Sequence, residues 1–306
     1  MAESTRKVIW VAMAANLLIA ATKFFAAWKT GSSAILSEGV HSVVDTGDQI
    51  LLLYGMHRAE RPADRDFPFG HGKEIYFWSF VVAILIFALG AGISLYEGVL
   101  HLLQPSELTS PLINYLIIAA AIVFEGISWA FSLREFRKGK KPGRGYLEAI
   151  RKGKDPTLFL VLMEDSAALL GLFTALAGIA LTQLTGNPVY DGIASIVIGV
   201  ILGATAAFLA SETKGLLIGE AADRESMQAI RAIVEKGEHV DHVNEVLTLQ
   251  MGPDYVLATI SLDFASGASS DEVEQSVVAL ESQIVDRLPV VKKVFIEAQA
   301  WSRREA

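Results

Sequence analysis

The stretch SEGVHSVVDTGDQ, residues 37–49, carries Glu38, His41, Asp45 and Asp48 inside an otherwise apolar run, with LLIAATKFFAAW before it and ILLLYG after it. At about 100° per residue these four side chains share one helical face, and His41 and Asp45 are neighbours one turn apart. A neutral imidazole nitrogen and a hard carboxylate oxygen on one rigid element make a compact half-site for a divalent cation. The competing reading is a polar seam satisfied by hydrogen bonds between helices. A charge at mid-bilayer costs about 2.5–3.5 kcal/mol on insertion scales, so such residues are rarely idle. A half-site needs a complement on another helix. DPTLFLVLMEDSAALLGL supplies adjacent Glu164 and Asp165 in apolar surroundings, and IVFEGISWAF adds Glu125. Adjacent helical residues point about 100° apart, so Glu164 and Asp165 cannot face one partner equally. One can ligate while the other hydrogen-bonds or carries protons. The alternative for this pair is an acid doublet near a helix end facing water.

Composition limits what chemistry these groups can do. The 306 residues include no cysteine, which rules out disulfides and thiolate ligands and leaves oxygen and imidazole to hold any metal. A net charge of −8 is not that of a nucleic-acid binder. There is no G-x-x-x-x-G-K-[ST] motif for ATP. The polar groups of the apolar segments lack an arranged nucleophile and base, which argues against an enzyme. No organic cofactor is implied.

The elements that must position the acids are membrane helices. The chain is 52% hydrophobic, with a mean hydropathy of +0.41, too apolar for an ordinary soluble domain. Six stretches reach the roughly 20 apolar residues that a bilayer core requires, at about 8–28, 33–56, 75–102, 111–133, 157–183 and 189–210. The first follows a short charged segment, as a signal peptide would, but runs on without a small-residue cleavage region and reads as a retained span. The linker after span two carries Arg58, Arg61, Arg65 and Lys73; the one after span four is richer still, from Arg134 through Lys141 to Lys154. QPSELTSP (104–111) and TGNPVYD (185–191) have neither Lys nor Arg. Positive-inside counting puts both basic linkers and both termini in the cytoplasm, and a cell (inner) membrane is the expected host. The same basic charges suit contact with anionic lipid headgroups. Residues 1–215 thus read as a transport domain of six transmembrane helices. Residues 216–306 read as a cytoplasmic α/β domain of α-β-β-α-β order, ferredoxin-like or a related two-layer fold, with its last strand in VKKVFIEAQ.

SEGVHSVVDTGDQILLLYG resembles the second-span signature of the cation diffusion facilitators, and FPFGHGKE (67–74) resembles that family's signature at the entrance to span three. DPTLFLVLMEDSAALLG, TGNPVYDGIASIVIGVILG and the Glu125-Gly126 pair are similar to the branch containing the mitochondrial zinc exporter, zinc transporter nine. The resemblance covers essentially the whole chain. It implies a homodimer that exports a divalent metal, zinc before manganese, iron, cobalt or cadmium, in exchange for protons. It also implies a transport site of His41 and Asp45 from span two beside a His-x-x-x-Asp pair from span five. Asp165 matches the last of these, while Val161 stands where the histidine would be. Glu164 is the preferred fourth ligand, with Glu125 or a water as alternatives. Exchanging nitrogen for oxygen moves preference toward harder ions such as Mn²⁺ or Fe²⁺. A weaker second site would use Asp64 and His71, with Phe67 in place of an intervening histidine. In the cytoplasmic domain the family's metal positions fall on Asn244, Ser261, Asp263 and Glu297, with His239 and His242 unmatched, so a dimerising module rather than a strong metal sensor is expected. The departures at Val161 and Phe67 leave a rival, a non-transporting membrane partner or regulator that kept the fold. A proton-coupled carrier of an organic solute is a third reading.

Overall fold

The computed structural model describes residues 2–30, 33–104, 111–140 and 143–301, without the side chains of residues 2, 30, 33, 34, 36–38, 40 and 111. Three features of the sequence reading lie outside the described residues: the 105–110 connection, Lys141, and the Glu38 side chain. The chain divides into two compact units, Met1–Glu60 with Glu74–Lys214, and Arg61–Lys73 with Gly215–Ala306.

The first unit is helical. Its elements are α1 (Ala2–Thr30), α2 (Ser33–Ala59), α3 (Glu74–Leu103), α4 (Pro111–Gly139), the short α5 (Tyr146–Arg151), α6 (Pro156–Thr185) and α7 (Val189–Ile218). Among the described residues, five of these (α1, α3, α4, α6 and α7) are long and apolar enough to cross a membrane. Helix α2 has 27 residues, a comparable length. The charges along it, including the acids of the site, set it apart. The helices extend past the apolar stretches at several ends, because polar residues such as Glu3 and Arg137 prolong a helix without cost once they stand in water. The start of α6 is fixed locally: Asp155 accepts the Thr157 amide at 3.1 Å, and Pro156 occupies the first turn, where its missing N–H is no loss. The Thr5 hydroxyl donates to the other Asp155 oxygen at 3.0 Å and ties α1 to that cap.

Helix α1 packs on α2 and α4, α2 on α3, and α4 on α6, so α1, α2, α4 and α6 enclose a common interior. Glycines allow the approach of α7 to α3. A methyl group on Gly98 would stand 2.7 Å from Ile196 Cγ1, and one on Gly199 would stand 2.6 Å from Leu95 Cγ. Small residues of this kind let membrane helices meet closely, where dispersion rather than the hydrophobic effect holds them together. Residues Ile86–Ala91 form a π-helical turn within α3, which places an extra residue in the turn facing the interior.

The second unit contains α8 (Arg224–Val234), β1 (Val240–Gly252), β2 (Tyr255–Phe264), α9 (Ser270–Arg287) and β3 (Val291–Ala298), the expected α-β-β-α-β order. The three-stranded sheet has the order β1-β2-β3, antiparallel between the first two and parallel between the last two. The parallel pairing requires a crossover, and α9 provides it. Along β2, Val256, Ala258, Ile260 and Leu262 alternate inward onto Ile230, Val234, Leu280 and Ile284 of the two helices. Asp223 caps α8, and Ser269 with Glu272 forms a capping box on α9. The segment Arg61–Lys73, assigned to the transport domain in the sequence reading, belongs to this unit in the structure. Its backbone meets the β1–β2 turn directly: a side chain on Gly72 would come 2.5 Å from the Met251 carbonyl oxygen.

Candidate functional site

The interior of the helical unit holds a cavity of about 300 Å³. Helix α2 lends it His41, Ser42, Asp45 and Asp48, α6 lends Glu164, α4 lends Glu125, and α1 lends Asn16 and Lys23. Its apolar wall includes Ile86, Leu89 and Gly90 of the π-helical turn, with Gly90 against the His41 ring. The one-face arrangement expected of α2 is present from His41 through Asp48. His41 Nε2 lies 3.9 Å from Asp45 Oδ1. Each of these two side chains keeps about a third of its surface accessible (33% and 31%), whereas Asp48 is buried.

Asp45, Asp48 and Glu164 each bring an oxygen within 4.8 Å of the others. Two oxygens bound to one zinc at about 2.1 Å can be no more than about 4.2 Å apart. The triad therefore stands within a small side-chain adjustment of closing on a shared ion. Glu164 is held from the side by a relay: Asn16 Nδ2 donates to Gln49 Oε1 at 3.3 Å, and Gln49 Nε2 donates to Glu164 Oε1 at 3.2 Å.

The structure separates the two adjacent acids of α6. Glu164 faces α2, while Asp165, also buried, faces α4. Asp165 Oδ2 accepts hydrogen bonds from Ser128 Oγ at 2.9 Å and Ser132 Oγ at 3.1 Å. The roughly 100° between neighbouring helical residues makes this division unavoidable. His41, Asp45 and Glu164 thus line one cavity and Asp165 does not. The position beside them belongs to Asp48, a residue of the same α2 face not chosen as a ligand from sequence.

Asn16, Lys23, Gln49, Ser128 and Ser132 were also missed. The first two had a readable signal, polar side chains seven apart in an apolar helix. The serines had none, since a lone serine is unremarkable in any span.

Asp64 and His71, the expected weaker pair, lie in the second unit and meet each other. His71 Nε2 is 2.9 Å from Asp64 Oδ2, and the other Asp64 oxygen accepts the amides of Asp66 and Phe67 at 3.0 and 2.8 Å. The hydrogen bond with His71 and then the Phe67 amide hold the Asp64 carboxyl below the usual carboxylate range. The pair acts as a clasp across the loop, with the Phe67 ring 4.4 Å from that of His71. On the sheet, Asn244 donates to the Gln299 carbonyl at 2.8 Å and to Ser261 Oγ at 3.2 Å, and the His242 ring stacks edgewise on Trp301.

Long apolar helices around a buried, acid-rich cavity mark an integral membrane protein. The family model described as the cation efflux transmembrane domain matches residues 9–218, and the chain belongs to that family. The members of that family are cation transporters, not enzymes. Over 259 residues the chain is 36% identical to the mitochondrial proton-coupled zinc antiporter SLC30A9 of Xenopus laevis, covering 84% of this chain and 46% of that protein. It is 33% identical over 263 residues to metal tolerance protein C4 of Arabidopsis thaliana, covering 86% and 58%. The chain therefore spans about half the length of these two relatives. It is 23% identical over 304 residues to the manganese efflux system protein MneP of Bacillus subtilis, covering 97% and 96%.

Proposed function

We propose that this protein exports a divalent metal cation from the cytoplasm in exchange for protons, with zinc as the first substrate. The observation that carries the proposal is the convergence of Asp45, Asp48 and Glu164 from two helices on one buried cavity. His41 completes the shell from the edge of that cavity, and Asp165 stands behind it as an acid kept by the α4 serines. Every ligand must be deprotonated to hold the ion, so protons arriving from the opposite side compete it off. That competition supplies a physical basis for antiport without ATP. The likeness to a protein named as a proton-coupled zinc antiporter supports both the ion and the exchange. In this proposal α2 is a sixth span, its charges turned to the cavity rather than to lipid. The two basic linkers and both termini face the cytoplasm of a cell membrane. The C-terminal unit is a ferredoxin-like module that joins two copies into a homodimer, and the Asp64–His71 pair is a minor metal site at most.

A second reading has its own observation. The triad is all carboxylate, and hard oxygen donors favour manganese or ferrous iron over zinc; the likeness to a manganese efflux protein points the same way. Titration calorimetry of the purified protein with zinc and with manganese decides between them. We expect zinc to bind more tightly, and Asp45→Ala and Glu164→Ala each to weaken binding by at least about tenfold through loss of a direct ligand. Wild-type protein that takes up neither metal would instead favour a regulator that has kept the fold.

A further inference from the structure

The cavity contains one group that no cation site needs. Lys23 lies in the interior of α1, six residues before Lys29 at the helix end, and is only 9% exposed. A lysine in a membrane helix ordinarily extends its stem to bring the ammonium to the headgroups. Lys23 does the opposite. Its Nζ turns inward to 3.1 Å from Ser42 Oγ, and the side chain lines the same cavity as Asp45, Asp48, Glu125 and Glu164. Ser42 sits beside His41 and one turn before Asp45 on α2, and its own carbonyl oxygen accepts from Thr46 at 2.9 Å. A long flexible stem, a fixed positive charge and a hydroxyl dock next to the metal-binding face are thus assembled in one place.

We propose that Lys23 is a tethered counter-cation that competes with the transported metal for the acids of the cavity and takes its place when the metal leaves. This rests on the transport-site reading above. With the metal bound, the ammonium docks on Ser42. With the metal gone, it swings to the carboxylates and neutralises part of their charge. The carrier then returns without stranding several anions in a low-dielectric interior, where unpaired charge is heavily penalised. A positive charge lining the same cavity also weakens metal binding, which helps release. Lys23 therefore positions charge and is not a ligand.

The test uses full-length protein and zinc alone as probe, with Kd from calorimetry and two transport modes in proteoliposomes. Lys23→Met removes the charge and should tighten zinc binding by about tenfold. It should preserve zinc–zinc exchange while slowing net, proton-driven export, because only the net cycle requires an empty carrier to return. Lys23→Arg keeps the charge and should restore the wild-type Kd. Ser42→Ala removes the dock, leaves the ammonium on the acids and should weaken zinc binding; that loss should vanish in the Lys23→Met background. If Lys23→Met does not fold, Ser42→Ala and Lys23→Arg decide the matter by the same Kd readout. A Lys23→Met protein that binds zinc no tighter than wild type, or that loses exchange and net export in parallel, overturns the role of Lys23 alone. Unchanged affinity in Ser42→Ala overturns it as well. A wild type that binds neither zinc nor manganese sinks the site and this inference together.

Discussion

At the scale of single residues, function depends on which oxygen of each acid is free and what holds the other. Glu164 takes its orientation from Gln49, and Gln49 takes its own from Asn16. Gln49→Leu keeps the volume but removes the donor, leaving a buried carboxylate oxygen short of one partner, a loss of about 1–3 kcal/mol. The expected outcome is a raised apparent KM for metal with a smaller change in maximal rate, read from dye-loaded proteoliposomes; an unaltered KM would show that the relay is packing only. The candidate residues were partly legible in the sequence. Acids in an apolar segment are improbable by chance, so His41, Asp45, Glu164 and Asp165 stand out in the sequence. Spacing along one helix also placed Asp48 on their face. The sequence could not say which α6 acid would meet α2, because that depends on how α6 is rotated about its axis. Hydroxyls on α4 accommodate Asp165 and leave Glu164 to the cavity.

At the scale of elements, close helix contacts and loop clasps carry consequences that can be measured separately. Gly199 lies against Leu95, and a methyl group there already intrudes to 2.6 Å. Gly199→Leu should force α7 away from α3 and destabilise the helical unit by about 1–3 kcal/mol, seen as a lowered Tm in detergent. A Tm equal to wild type would mean that α7 moves aside at no cost. The loop clasp has a pH signature. The folded Asp64 carboxyl titrates below its unfolded value of about 3.9, so its contribution is fully present above that pH and fades as pH falls through the lowered folded value. Amide exchange across Arg61–Lys73, corrected for intrinsic rates, should accelerate in that acid window; Asp64→Asn should show the faster exchange already at neutral pH. Protection that is level across the window would remove the clasp from the account. Helices α1, α3, α4, α6 and α7 were legible because apolar length is a strong signal. The π-helical turn in IFALGA was not, since nothing in its composition departs from the flanking α-helix. Nor was the attachment of Arg61–Lys73 to the C-terminal unit, which rests on backbone meeting backbone at Gly72 and leaves no periodic trace.

At the scale of the whole molecule, the proposed function is that of a proton-coupled carrier whose helical unit holds an acid-lined cavity and whose sequence continues into a small α/β module. The family is fixed by comparison; the ion, its exchange partner and the membrane are proposals. One measurement bears on the ion and its exchange partner through the central claim that protons and metal compete for the same carboxylates. In proteoliposomes, zinc movement and lumenal pH are recorded together under an imposed proton gradient, for wild type, Asp45→Ala, Asp48→Ala and Glu164→Ala. The account predicts zinc moving against the proton flux in wild type, with both fluxes lost together in each variant. Zinc transport that continues at wild-type rate in all three variants, or that proceeds with no counterflow of protons, would contradict it.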